Sequence, residues 1–101
     1  MNPFSKKQEP DLEIFVIHDS KVGNYKIPFH AQNRFEVLRD FDNMMKDKKA
    51  QSENQYCTNA EDFALFKIGE YNRKTGQITS CTSEHIANLH DLRTAAQQQA
   101  L

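Results

Sequence analysis

The stretch LEIFVIHDSKVGNYKIPFHA, residues 12–31, decides the fold because it contains two runs of strand-like composition with a turn between them. Residues 12–19 are rich in β-branched and aromatic side chains and are apolar on both alternation phases, which is typical of a strand covered on both faces. Residues 20–24 contain a glycine and an asparagine, which tolerate the positive φ of a tight turn. The stretch therefore predicts an antiparallel β-hairpin.

The returning strand of this hairpin, residues 25–31, alternates two kinds of side chain. Its apolar phase should face the core or a subunit interface and consists of Tyr25, Ile27 and Phe29. Its opposite phase should face outward and consists of Lys26, Pro28 and His30. Because proline cannot donate to a sheet ladder, the strand is predicted to lie at an edge or to contain a bulge.

A helix should begin after Asn33, because Asn33 and Glu36 have the spacing of a capping pair. Apolar residues then recur every three to four positions. They predict a stripe of Phe35, Leu38, Phe41 or Asp42, and Met45, flanked by Val37 and Met44. The helix should end in the lysines of residues 46–49, which complement the partial negative charge of a helix C-terminus.

The second half of the chain predicts another hairpin and another helix. Residues 50–60 have no periodicity and predict a loop, after which strands are expected at residues 62–71 and 77–81 around a turn that ends in a glycine. Gly69, inside the longer strand, indicates a bulge or a close backbone approach. Ser83 is placed to cap a C-terminal helix with the narrow apolar stripe Ile86, Leu89 and Leu92.

These elements predict a small single α+β domain. Its antiparallel sheet consists of two β-hairpins, with an amphipathic helix between them and a C-terminal helix, in the order ββαββα. We place the domain at residues 12–93. Both ends of the chain are polar and lack periodicity, so we expect a flexible N-terminal arm at residues 1–11 and a frayed C-terminal tail at residues 94–101.

The charge balance limits the kinds of partner. The 101 residues include 13 Lys and Arg against 14 Asp and Glu, for a net charge of −1, so any electrostatic site must be a local patch. Cys57 and Cys81 lie far apart and outside any CxxC spacing. With no signal peptide and no apolar run long enough to span a bilayer, these features predict a soluble intracellular protein with free thiols.

The sequence offers little for catalysis. None of the patterns GxxxxGK, GxSxG, HExxH or GxGxxG occurs, so we predict neither an enzyme nor a bound cofactor. His85 and His90 lie five residues apart, which on a helix turns them away from a common face, so we predict no metal site. Neither cysteine has a neighbouring base in the sequence that would activate it.

Aromatic and basic residues are interleaved on both hairpins. This mixture is typical of proteins that bind single-stranded nucleic acid, because bases stack on the rings while cations track the phosphates. The candidate nucleic-acid contacts are Lys21, Tyr25, Lys26 and His30 on the first hairpin and Lys67, Arg73 and Lys74 on the second. The alternative is that Tyr25 belongs to the core phase of its strand and that the lysines are solvated turn residues.

The sheet also has a second face to cover. One amphipathic helix covers one face, yet residues 12–19 and 62–71 are both apolar on both phases. The C-terminal helix could cover the other face, but its apolar stripe is narrow. We therefore expect a second subunit there, and hence a homodimer or a higher oligomer.

Three blocks of the chain carry a family resemblance. The matching residues are Asp19, Ser20, Lys21, Tyr25, Pro28, Phe29 and Ala31 in the first block, Arg39, Phe41 and Asp42 in the second, and Glu61, Asp62, Leu65, Phe66, Ile68, Gly69, Thr75, Gly76 and Ile78 in the third. In this order and spacing, the chain resembles the small non-structural protein of gokushovirus-type microviruses, which are single-stranded DNA phages of bacteria. His18 and Phe63 stand where that family more usually has tyrosine.

The resemblance implies a viral non-structural protein that acts in phage DNA replication, in the cytoplasm of the infected bacterial host. It would act by binding single-stranded DNA or by controlling the switch to single-stranded genome synthesis and packaging. The resemblance implies no catalytic residues, and Lys21 is the first candidate for a phosphate contact. The sequence leaves open an interaction module that docks on a viral or host replication protein through its edge strand or C-terminal helix, without DNA contact.

Overall fold

The protein folds as a five-stranded antiparallel sheet with helices packed on one side, as described for residues 12–99 by a computed structural model. The strands are β1 (Leu12–Asp19), β2 (Asn24–Tyr25), β3 (Phe29–Ala31), β4 (Phe63–Asn72) and β5 (Gln77–Asn88). The order across the sheet is β2-β1-β4-β5, and β3 pairs with β1 along the same edge as β2. The predicted α+β fold is confirmed.

The first hairpin forms where the sequence predicts it, but its returning strand is divided. Gly23 in the turn has a φ of +82°, and the side chain of Asp19 accepts a 3.0 Å hydrogen bond from the backbone N–H of Lys21. The expected continuous strand at residues 25–31 is wrong, because residues 26–28 leave the ladder between β2 and β3. Pro28 lies in this interruption, at the edge of the sheet, where proline is tolerated.

The interruption also corrects the predicted apolar phase. Phe29 reaches the core and stacks on Phe15 with ring centroids 6.0 Å apart. Tyr25 and Ile27 do not face the core, since they are 59% and 87% exposed. Tyr25 lies opposite His18 on the side of the sheet away from the helices, while Ile27 lies outside the ladder.

Helix α1 (Arg34–Lys46) begins at the predicted cap. Asn33 Oδ1 accepts a 3.0 Å hydrogen bond from the N–H of Glu36, and Glu36 Oε1 accepts one of 3.0 Å from the N–H of Gln32. The buried stripe is Val37, Leu38, Phe41, Met44 and Met45. Phe35 is 74% exposed, so its predicted place in the core is wrong; it lies outside the arc that these positions share.

The segment predicted as a loop, residues 50–60, is mostly helical. It contains α2 (Lys48–Glu53), α3 (Gln55–Thr58) and a 3₁₀ turn (Ala60–Asp62). Each of the two short helices begins at a capping side chain, since Asp47 accepts from the N–H of Ala50 and Asn54 from the N–H of Tyr56. Helices of four to six residues are too short to show an apolar stripe, so periodicity does not reveal them.

The second hairpin is longer than predicted. Strand β5 runs through Asn88 instead of ending at Cys81, and α4 (Leu89–Gln99) begins six residues after Ser83, which caps no helix. The ladder continues because β4 pairs with the additional residues, including Phe66 with His85 and Lys67 with Glu84. Pairing with a neighbouring strand outweighs the local helix signal.

Gly69 lies both at a β-bulge and at a close approach of two backbones, the two possibilities that its position in the strand indicates. Adjacent residues Ile14 and Phe15 of β1 pair with Gly69 and Lys67, so β4 has one extra residue there and is bulged. A Cβ atom at Gly69 would lie 2.9 Å from the carbonyl oxygen of Thr79, closer than such atoms approach in proteins. Glycine is therefore required here by space.

Helix α4 packs on the same side of the sheet as α1. Leu89 and Ala96 are buried in the common core, and Lys46 Nζ donates a 2.7 Å hydrogen bond to Gln99 Oε1. The tail predicted to fray from residue 94 is therefore corrected: residues 94–99 belong to the folded domain. The predicted arm at residues 1–11, like residues 100–101, lies outside the described residues. The sheet and the helices together form one hydrophobic core. Its buried residues are Phe15, Ile17, Ala31, Val37, Met45, Cys57, Ala60, Phe63, Leu65, Leu89 and Ala96.

Candidate nucleic-acid interface

The side of the sheet opposite the helices is covered by no other element among residues 12–99, and we call it the open face. Side chains of residues paired across strands point to the same side of a sheet, so the register defines its members. They are Leu12, Ile14, Val16 and His18 of β1, Tyr25 of β2, His30 of β3, Ala64, Phe66, Gly69 and Tyr71 of β4, and Ile78, Ser80, His85 and Asn88 of β5. This set contains no Asp, Glu, Lys or Arg.

A row of four rings crosses the open face from one edge of the sheet to the other. Tyr25 and His18 have ring centroids 4.6 Å apart, Tyr25 and Phe66 6.3 Å, and Phe66 and His85 5.3 Å. The rings meet at tilted or edge-to-face angles, which are favourable arrangements for aromatic pairs. We call Tyr25, His18, Phe66 and His85 the aromatic row.

The aromatic row is accessible to a ligand. Tyr25 is 59% exposed and His85 is also exposed, while His18 and Phe66 are half-buried between their neighbours. The Nε2 atom of His85 lies 2.9 Å from Oδ1 of Asn88, which holds the imidazole at the outer strand. The row therefore exposes two rings, those of Tyr25 and His85, on which flat groups such as nucleobases can stack.

An apolar groove occupies the other end of the open face, near the β4–β5 turn. It has a volume of about 370 Å³. Its lining residues are Leu12, Ile14, Pro28, Phe29, His30, Tyr71 and Ile78. Ile78 stands at its margin with 67% of its surface exposed.

The cations predicted to bind phosphate do not form one cluster. Lys21 is exposed in the β1–β2 turn, and Arg73 and Lys74 are exposed in the β4–β5 turn. These turns lie at opposite ends of the sheet, because β1 pairs with Phe63 at its end and with Tyr71 at its start. A strand as long as β4 extends about 33 Å, so the turns bracket the open face from its two ends.

Lys26 lies on the helix side of the sheet. Its Nζ atom is 3.9 Å from Asp19 Oδ2 and 5.7 Å from the ring centroid of Phe63, whose side chain is in the core. A carboxylate and an aromatic ring thus already hold the ammonium group. The prediction that Lys26 contacts nucleic acid is at odds with this position.

Lys67 is also on the helix side and is held by two carboxylates. Its side chain is 12% exposed, with Nζ 3.0 Å from Glu70 Oε2 and 3.6 Å from Glu13 Oε1. Burial lowers the pKa of Lys67, but the hydrogen bond with Glu70 and the charges of both carboxylates outweigh it, so the pKa is raised. Lys67 is charged and neutralised locally, so its position does not favour the predicted phosphate contact.

Of the seven predicted contacts, Tyr25 and His30 lie on the open face and the turn cations lie at its ends. His18, Phe66 and His85 are not among the contacts predicted from the sequence. Strand alternation alone would have placed His18 with Ile14 and Val16, but the other two depend on the register of β4 and β5.

A polar cavity of about 600 Å³ lies on the helix side, between α4 and the short helices. Arg93 Nη1 donates a 2.8 Å hydrogen bond to the carbonyl oxygen of Cys57, and Nη2 pairs with Glu61 at 2.9 Å. Burial raises the pKa of the Cys57 thiol, which disfavours the thiolate needed for a nucleophile. Within residues 12–99, no three His, Cys, Asp or Glu side chains are grouped to hold a metal ion.

The helices of the described region are all too short or too polar to cross a bilayer. The fold defines a small α+β protein with one helix-covered and one uncovered sheet face. Residues 12–92 match the family described as Phage ORF5 protein, so the chain belongs to that family. The match confirms the resemblance to a phage protein. No curated protein and no solved structure matches the chain.

Proposed function

We propose that this phage protein binds single-stranded DNA across the open face of its sheet, as a non-structural protein acting in phage DNA replication. Binding of this kind would protect nascent single strands or favour the switch to single-stranded genome synthesis and packaging. The proposal gives the chain no catalytic role and locates its action in the cytoplasm of the infected bacterial host.

The observation that carries the proposal is the aromatic row. Four rings in contact across an uncovered sheet are what unpaired bases need for stacking, and each stacked base contributes about 1–3 kcal/mol in known single-strand binding proteins. Bases in a duplex are already stacked on one another. The row should therefore prefer single strands.

The arrangement of charge supports a path along the strands. Lys21 and Lys74 are exposed at opposite ends of the face, while the face itself is uncharged. A strand of DNA crossing the rings would meet a cation where it enters and where it leaves. Two phosphate contacts would give a slope of log affinity against log salt of about −1.4, a moderate salt dependence.

A fluorescence-anisotropy titration tests the proposal. Labelled oligothymidylate and a labelled duplex of the same length are titrated with the protein at about 50 mM and about 200 mM salt. We expect saturable binding of the single strand, weaker binding of the duplex, and a modest loss of affinity at the higher salt. Equal affinity for the two DNAs would contradict stacking on the row.

Two substitutions locate the contact. Tyr25→Ala and His85→Ala each remove an exposed ring from the aromatic row, and each should weaken binding of oligothymidylate by about 5- to 150-fold. Phe35→Ala is the matched control, because Phe35 is 74% exposed on α1, outside the open face. A loss for Phe35→Ala equal to that for Tyr25→Ala would refute the assignment of the site.

The absence of charge on the open face and the presence of the apolar groove favour a second candidate function. In this alternative, the protein docks on a viral or host replication protein without contacting DNA. The same titration separates the two candidates. Folded protein that binds neither DNA at either salt concentration would exclude direct DNA binding and leave the docking function.

A further inference from the structure

The open face contains more apolar surface than stacking with DNA requires. Leu12, Ile14 and Tyr71 line the apolar groove, and Ile78 exposes 67% of its surface beside them. Both β1 and β4 thus carry apolar residues on their two sides, as strands do when they are covered on both faces. Among residues 12–99 nothing provides the second cover.

We propose that a second copy of this chain covers the open face, with the two sheets packed face to face around a two-fold axis. This would form a four-layer dimer with helices outside and the two sheets inside. Face-to-face sheets pack about 10 Å apart with interdigitating side chains. In such a dimer the exposed Ile78 of each copy can enter the groove of about 370 Å³ on its partner.

The lack of charge on the face permits a second copy as the occupant. In a two-fold contact a surface meets itself, so any concentration of like charge would oppose association. The residues that the strand register places on the open face include no Asp, Glu, Lys or Arg. Self-association therefore brings no pair of like formal charges together.

The area of the face is sufficient for a specific contact. The strand residues of the sheet, at about 3.3 Å along the strand and about 4.8 Å between strands, give about 550 Å² for each copy. Two such faces bury about 1,100 Å² together, which exceeds the lower limit of about 1,000 Å² for a specific protein interface. The estimate corresponds to a small interface, so the dimer should dissociate on dilution.

The dimer and the DNA complex use the same surface and therefore exclude one another; this consequence, unlike the dimer itself, rests on the proposed function. Without DNA, the aromatic row would be buried in the dimer interface. Single-stranded DNA would bind the monomer and so shift the equilibrium away from the dimer. The fraction of dimer would then fall as the concentration of single-stranded DNA rises.

Sedimentation velocity over a wide range of protein concentration tests the dimer without DNA. The wild-type chain should change from 11.7 kDa to twice that mass as the concentration rises. Ile78→Glu and Ser80→Glu each place a carboxylate on the open face and should abolish the dimer. Both side chains are exposed, so neither change should unfold the monomer, which circular dichroism checks. Phe35→Glu, at a similarly exposed position on α1, should dimerise like the wild type.

A wild-type chain that remains monomeric throughout, or dimers of Ile78→Glu and Ser80→Glu that are as stable as the wild type, would overturn the inference. Oligothymidylate added to the wild-type dimer provides a further arm. Conversion to a monomer–DNA complex supports the shared surface, and a dimer that binds the DNA without dissociating overturns it. A dimer that the two substitutions break, but that binds no DNA, supports the inference while the proposed function fails.

Discussion

Arg93 donates a 2.8 Å hydrogen bond to the carbonyl oxygen of Cys57, and so fixes α4 to α3 across 36 positions of the sequence. The same guanidinium pairs with Glu61 at 2.9 Å. Because its side chain is 20% exposed, water replaces these contacts poorly. The C-terminal helix is thus anchored by a polar contact as well as by its buried Leu89 and Ala96.

Removing this anchor should destabilise the fold. Arg93→Met is expected to lower the free energy of unfolding by about 1–3 kcal/mol, since it leaves the carbonyl oxygen of the buried Cys57 without its donor. Urea denaturation followed by circular dichroism measures the change. Arg39→Met, at an exposed position on α1, should stay within about 0.5 kcal/mol of the wild type. Equal losses for the two variants would contradict the anchor.

The contact of Glu61 with Arg93 should make stability depend on acid. The hydrogen bond from Arg93 lowers the pKa of Glu61 in the folded chain and outweighs the opposing effect of desolvation. The stabilisation is therefore complete above the unfolded pKa of about 4.3 and is lost as the pH falls through the lower folded pKa. Thermal melts should show Glu61→Gln less stable than the wild type at neutral pH, with the difference vanishing in acid. A difference that persists at the lowest pH would show that the ion pair is not its cause. Glu53→Gln, on the exposed side of α2, is the control.

Substitution of Lys67 should affect stability and leave the salt dependence of DNA binding unchanged. Lys67→Met leaves Glu13 and Glu70 facing each other, and we expect a loss of about 2–3 kcal/mol, at the low end for buried pairs because Glu70 keeps 40% of its side chain exposed. Adding Glu13→Gln should restore part of this loss. Denaturation of the single and double variants tests the pair, and no recovery in the double variant would count against it.

The salt dependence separates Lys67 from Lys21. Lys21→Ala should reduce the slope of log affinity against log salt by about 0.7, the value for one phosphate contact on a single strand. Lys67→Met should leave that slope unchanged, because its charge is already paired with carboxylates. The reverse pattern would move the DNA path to the helix side of the sheet.

Gly69→Ala should strain the pairing of β4 with β5. The added Cβ would lie 2.9 Å from the carbonyl oxygen of Thr79, a backbone atom that cannot rotate away. We expect a loss of about 1–3 kcal/mol in the free energy of unfolding, as for other overpacked sites. Ser80→Ala on the opposing strand adds no atom and should be nearly neutral. A tolerated Gly69→Ala would mean that the strands separate easily at the bulge.

Features that depend on residues close in sequence are predictable here. The bounds of β1 follow from a continuous apolar run, and the start of α1 follows from the side chains of Asn33 and Glu36. The bulge at Gly69 follows from a glycine within a strand pattern. The first two features depend on groups only a few positions apart, so local physical chemistry is decisive for them. Glycine indicates the bulge, but the atoms that require it belong to Ile14 and Thr79.

The extension of β5 is not predictable in this way. Residues 83–92 carry a capping serine and an apolar stripe at helical spacing, and by themselves they favour a helix. In the folded chain, Glu84 and His85 are instead paired with β4, so the ladder competes successfully with the helix over the first half of this segment. That outcome depends on pairing with residues about twenty positions away.

The candidate site was predictable only in part for the same reason. Strand alternation assigned Tyr25 and His30 to opposite phases, but both lie on the open face, because residues 26–28 leave the ladder between them. The pairing of Phe66 with His85 requires the register of two strands, and the carboxylates beside Lys67 come from β1 and β4. A basic residue in a sequence shows the presence of a charge but not of its partner.

The irregular register of β5 has a consequence for the behaviour of the protein at high concentration. No strand within residues 12–99 pairs with its outer edge, and the register shifts opposite Lys67 to Gly69 and opposite Leu65 to Phe66 bend it twice. A long straight edge would be a template for the addition of strands from other molecules, which is the route to fibrils. The two bends interrupt the edge, so no single added strand can form backbone hydrogen bonds along its whole length. Shortening residues 81–83 would restore a regular ladder. We therefore expect that variant to form amyloid more readily than the wild type, as measured by thioflavin fluorescence.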